Sequence, residues 1–220
     1  MHVLAMLPEA LVFAGALTVL IVGSYLPRLR LWWTRVIAVA ALIGALIAGA
    51  VQMAGPDSAA FAGTFVVDSV TGVARVIVPV ATVLVILVAG EEISGSARES
   101  ESYALLLSAT AGVLVLAGAQ DLLVLAVGYL LASIPLYALI GMARSPAAAE
   151  AAMKTYLLGA LSGILLLLGI TLLFGGTGTT AYGELRGLLV EVPAPIVAAG
   201  SVGVVAGLLF KAGGVPLHFW

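Results

Sequence analysis

Lys211 stands at the end of a long apolar run in LLFKAGGVPLHFW, residues 208–220, and His218 follows seven positions later. Taken out of water, an ammonium holds its proton less tightly, and an imidazole titrates near neutral pH. Lys154, in AEAAMKTYLLGALS, follows Glu150 by four residues, an order that pairs the two on one helix face. Arg75 follows Asp68 by seven, so both project from roughly one side of a helix. The chemistry open to such a set is the binding and passing of protons. Plainer readings stand beside it. Lys211 can run its stem to an interface, Lys154 can rest as a surface pair with Glu150, His218 can lie at an interface, and Asp68–Arg75 reads as a structural ion pair.

No other constellation competes. The chain has no cysteine and two histidines, which argues against thiolate, haem or histidine-rich metal sites, so no metal ligands are assigned. Phosphate loop, nucleophile elbow, zinc-protease and dinucleotide fingerprints are missing, and no cofactor site is expected in the chain itself. A net charge of −2 decides nothing about nucleic acid, and no nucleic-acid partner is assigned.

The elements that carry these residues are membrane helices. Of 220 residues 63% are hydrophobic and 9% charged, with mean hydropathy +1.24, whereas soluble domains are roughly 25% charged. A soluble core of this size would leave much of that apolar surface in water. The runs are instead long enough to cross a bilayer, and they are apolar all round, unlike the alternating strands of a membrane barrel. The expectation is an all-α polytopic membrane protein with lipid bilayer around it. Its seven spans are read at 7–26, 32–54, 69–90, 103–119, 121–143, 149–174 and 194–213. A tight turn at GAQD (118–121) separates the fourth and fifth, since one helix of ~40 residues would be twice the bilayer thickness. Ser145-Pro146 reads as a helix cap and first turn, and Gly175-Gly176 as a helix stop. Gly159 and Gly163, four apart, suggest close helix packing. The break at Gly213–Pro216 should interrupt the seventh helix, and broken helices at membrane depth are tolerated mainly where they line a polar cavity.

Connections one, three and five carry Arg28, Arg30, Arg35, Arg98 and Arg144, against Arg186 alone in the others. The positive-inside rule then puts the odd connections in the cytoplasm and the N-terminus outside it. Trp32 and Trp33 suit an interface. No cleavable signal peptide is expected, the first helix serving as its own insertion signal.

From Asp68 onward, SIPLYAL, AEAAMKTYLLGALS and FKAGGVPLHFW closely resemble the antiporter-like membrane subunits of bacterial proton-translocating NADH–quinone oxidoreductase, or complex I. The family includes Mrp-type sodium/proton antiporter subunits, and AEAAMKTYLLGALS is similar to the N-type branch. The resemblance implies a fold of two inverted repeats, each with a broken helix, of which this chain would be the first half. Residues 1–67 would form the first two helices and a loop, and 68–220 a truncated antiporter-like core, all in one transmembrane domain. It implies that Lys154 and Lys211 transfer protons in the bacterial cell membrane, and His218, just past the break and able to titrate near neutral pH, is the third candidate for proton transfer. NADH, flavin, iron–sulfur clusters and quinone would lie in partner subunits of the membrane and peripheral arms, so the chain would meet quinone only indirectly and would not catalyse alone. An Mrp-type antiporter or membrane-bound hydrogenase subunit, or a non-conducting scaffold, are the alternatives. One departure stands out. The family's glutamate five residues before the proline of SIPLY falls on Leu130, which leaves Lys154 without its usual partner. The end of the chain inside the broken helix suggests a fragment of a longer protein.

Overall fold

The computed structural model describes residues 3–143 and 145–215. Arg144 and the segment 216–220, with Pro216 and His218, lie outside the described residues. Among those described are α1 (Leu7–Tyr25), α2 (Trp32–Met53), α3 (Ser69–Ile93), α4 (Glu99–Ala117), α5 (Leu122–Ile140), α6 (Pro146–Thr177), a short α7 (Tyr182–Leu188) and α8 (Ala194–Lys211). Seven of these helices, all but α7, have the length and composition to cross a bilayer. The chain is a multi-pass membrane protein.

Caps explain most of the boundaries. Asp68 accepts from Thr71 N–H at 2.8 Å and opens α3, and Asp121 accepts from the N–H of Leu123 at 2.7 Å and opens α5. Ser145 accepts from Ala148 N–H at 3.0 Å ahead of Pro146, as the sequence suggested. With this cap α6 begins at Pro146, three residues ahead of the apolar span read from 149. α6 also runs through Gly175 and Gly176, and stops instead at Gly178, whose left-handed φ of 74° a side chain would resist. α4 starts at Glu99 rather than 103, because its first turn is polar and an apolar count cannot register it. GAQD is the tight turn between α4 and α5.

Two features were not foreseen. Strands β1 (Ser58–Ala60) and β2 (Phe65–Val67) pair antiparallel, Ser58 opposite Val67 and Ala60 opposite Phe65. Three residues each, they are too short to leave a periodic signal. The hairpin is fastened to the α4–α5 turn, where Val66 N–H donates to Gly118 O and Gln120 N–H to Thr64 O, each at 2.9 Å. α7 docks on the same turn, with Leu122 N–H donating to Thr180 O and Tyr182 N–H to Gln120 O.

The helices pack as two groups joined through α4 and α5. α1–α4 close around Val12, Val19, Leu42, Ile86, Leu107 and Leu114. α5, α6 and α8 meet around Leu122, Tyr129, Leu166, Ile170 and Leu173. α6 and α8 make the most extensive contact, and small residues allow it. A Cβ on Gly203 would stand 2.7 Å from Leu165 O, and one on Gly207 would stand 2.9 Å from Ser162 O.

Candidate functional site

α8 ends at Lys211, and Gly213 follows in the left-handed region at φ 67°. The helix therefore stops where the Gly-Gly pair predicted a break. Lys211 does not snorkel. Its Nζ crosses to α5 and donates to Ala132 O at 3.0 Å and to Ser133 Oγ at 3.1 Å. Ala132 lies ten residues into α5, about 15 Å along it, so the ammonium is anchored near the middle of that helix. Pro135, one turn further along α5, has no N–H to offer the carbonyl of Leu131, the neighbour of the accepting Ala132. Ser133 Oγ–H donates to Tyr129 O at 2.7 Å.

Tyr129, Ser133 and Tyr137 are spaced by four residues and share one face of α5. Tyr129 is 1% exposed and its hydroxyl has no hydrogen-bond partner among the described residues. Tyr137 follows Ser133 by one helical turn, and its ring meets that of Tyr156 of α6 edge-on. Gly159 and Gly163 of α6 make room for the rings of Tyr137 and Tyr129. A Cβ on Gly159 would collide with the Tyr137 hydroxyl, and one on Gly163 would touch Tyr129 at 3.6 Å. The glycine pair thus serves close packing, but against aromatic rings rather than against another backbone.

Lys154 lies apart. Its Nζ meets Glu150 Oε1 at 2.5 Å on an exposed face of α6. No hydrogen bond or ion pair joins Lys154 to Lys211, or either lysine to the side chain at Leu130, among the described residues.

Arg75 pairs differently from the expectation. Its partner is Glu9 of α1, not Asp68, whose carboxylate is engaged in capping α3. Arg75 Nε donates to Glu9 Oε1 at 2.8 Å and Nη2 to Oε2 at 2.9 Å, a bidentate pair. Nη1 donates to Gln52 Oε1 and Nη2 to Ala5 O, each at 2.7 Å, and the guanidinium lies over the Phe65 ring. Arg75 is fully buried and Glu9 is 3% exposed. With four N–H bonds of the guanidinium donated to Glu9, Gln52 and Ala5 O, this cluster clamps α1, α2 and α3 together. Glu9 went unread in the sequence, although a carboxylate three residues into an apolar segment demands a partner.

Outside the spans, Asp68 is held below the ordinary carboxylate range by the Thr71 N–H. Tyr182 is pushed up to about 12 by burial and then by the nearby Asp121 carboxylate. Asp121 also accepts from Thr180 Oγ1 at 2.5 Å, which ties the start of α5 to the end of α6.

A half-buried ammonium held by the backbone and a hydroxyl of a proline-containing helix, inside a bundle of apolar spans, defines a polytopic membrane protein with a charged group turned into its helix bundle. Residues 119–220 match the family described as NADH:quinone oxidoreductase/Mrp antiporter, transmembrane region. The chain is 57% identical over 220 residues to NADH-quinone oxidoreductase subunit N of Mycobacterium sp. (strain JLS), which covers 100% of this chain and 47% of that protein. It also superposes on a chain of respiratory complex I from Thermus thermophilus with bound aureothin at a TM-score of 0.81, with 30% identity over 97% of this chain and 45% of that one. A chain of the Mrp complex from Dietzia sp. DQ12-45-1b has the same fold, at a TM-score of 0.81 and 24% identity, over 100% of this chain and 43% of that one. The chain belongs to this antiporter-like family, and it spans about half the length of the curated relatives it matches.

Proposed function

We propose that this chain is the first half of a membrane-arm subunit of an NADH–quinone oxidoreductase, and that it contributes to proton translocation coupled to electron transfer from NADH to quinone. The observation that carries this reading is the placement of Lys211, turned toward α5 and held on Ala132 O and Ser133 Oγ. An amine so placed can give up a proton and recover it without leaving its site. Lys154 and His218 are the further proton-transfer residues, Lys154 with Glu150 beside it. The 57% identity to a subunit N supports complex I over the other assemblies that share the fold.

In this reading residues 1–67 are the first two helices and a loop, and 68–220 the truncated antiporter-like core. The subunit lies in the bacterial cell membrane against other membrane subunits, with its N-terminus outside the cytoplasm, as the arginine bias supports. NADH, flavin, iron–sulfur clusters and quinone belong to partner subunits. This chain has no cysteine to hold a cluster.

The test uses the full-length subunit in its complete complex, reconstituted in liposomes. Lys211→Ala should lower the protons moved per NADH oxidised. An unchanged ratio would overturn the proposal. The Mrp-type fold neighbour favours a second reading, a cation/proton antiporter. Its signature would be sodium-dependent proton movement that needs no NADH.

A further inference from the structure

We propose that the hydroxyls of Ser133 and Tyr137, on the same face of α5 as Tyr129, form a proton relay that starts at Lys211 and does the work a carboxylate at position 130 would do. The inference rests on the proposed role of Lys211 and names the groups that would receive its proton.

Three observations carry it. Lys211 Nζ touches the middle hydroxyl of the row, Ser133 Oγ, at 3.1 Å. The next hydroxyl toward the C-terminal end of α5, that of Tyr137, lies one helical turn beyond Ser133 on the same face. Gly159 leaves the space that the Tyr137 hydroxyl occupies, so α6 is shaped around that atom. Tyr129 and Tyr137 are eight residues apart, so the row covers about 12 Å along the helix. It closes at Tyr129, which is 1% exposed, and opens at Tyr137, which is half-buried.

The step balances without a co-reactant other than water. Lys211 breaks one N–H bond and gives that proton to Ser133 Oγ. Ser133 gives its own O–H proton to the Tyr137 oxygen, after its hydroxyl turns from the Tyr129 carbonyl that it now faces. Tyr137 gives its former O–H proton to water at the open end. Each hydroxyl breaks one O–H bond and forms another, the lysine becomes neutral, and no electron moves. Running in reverse, the same row recharges the lysine. Leu130 has no such capacity, and the side-chain group of α5 that meets the ammonium is Ser133 Oγ, beside the Ala132 carbonyl.

The experiment compares variants of the full-length subunit in the complete complex in liposomes, read as protons moved per NADH oxidised. Ser133→Ala and Tyr137→Phe should each lower the ratio at least threefold. Ser133→Thr, which keeps a hydroxyl, should restore it. Gly159→Ala removes no hydroxyl but displaces the Tyr137 ring, and should lower the ratio in the same direction. Proton movement should also slow more in heavy water for the parent than for Ser133→Ala. If Ser133→Ala fails to assemble, Tyr137→Phe decides. A parental ratio in Tyr137→Phe would overturn the relay. Lys211→Ala separates the two claims. Loss there with parental Ser133→Ala and Tyr137→Phe refutes the relay alone, and no loss there refutes the proposed function beneath it.

Discussion

Gly112 of α4 and Ala132 of α5 are in backbone contact. A Cβ added at position 112 would stand 2.6 Å from the Leu131 carbonyl carbon and 2.7 Å from Ala132 Cα. Ala132 is also the residue whose carbonyl receives Lys211. α4 therefore sets the position of the peptide that holds the ammonium. Gly112→Ala should cost about 1–3 kcal/mol by overpacking, read as a lower thermal midpoint of the purified full-length protein. It should also lower proton movement, because α5 must shift. Gly183→Ala meets nothing within 4 Å and should leave both unchanged.

The Arg75–Glu9 pair gives a second prediction. Removing either partner leaves a charge uncompensated in a buried place. Glu9→Ala or Arg75→Ala should each cost about 3–5 kcal/mol, measured by unfolding in detergent. Removing both should cost less than the sum of the two, since the residues share one network. Additive losses would show that the two charges do not depend on each other.

Leu130 offers a gain-of-function test. It is 38% exposed on α5. In the full-length subunit within its complex, Leu130→Glu should raise the protons moved per NADH. No change would count against the reading that a carboxylate is missing there.

Asp68 supplies a pH dependence. Because the Thr71 N–H favours its ionised form, the folded state binds that proton less tightly than the unfolded state does. The stability this contributes is complete above the ordinary aspartate value of about 3.9 and fades as pH falls through the lower folded value. Asp68→Asn caps without a charge. Its thermal midpoint should therefore trail the parent near neutrality, and the gap should close below about pH 4. A gap that widens on acidification would contradict the assignment.

Much of this architecture was legible in the residues. Apolar runs of bilayer length located the spans, and the polar GAQD split α4 from α5. Gly213 marked the end of α8. The partner of Arg75 was not legible, because Glu9 lies 66 residues away and Asp68 stood nearer with the right charge. Its carboxylate was already engaged with the α3 N-terminus, a demand that charge counting does not weigh. The Tyr129, Ser133 and Tyr137 spacing was present in the sequence. Only the crossing of α8 over α5 shows that Lys211 meets it, and glycines arranged that crossing without naming their targets.

The clamp on α1 has a consequence for synthesis. Glu9 leaves the ribosome long before Arg75, and at roughly 5–20 residues per second their separation of 66 positions takes about 3–13 seconds. For that interval the first helix enters the membrane carrying a carboxylate with no counter-charge. Its final docking must wait for the third helix to arrive. The order in which these helices settle is therefore set by when the arginine is delivered, not by which helix is made first.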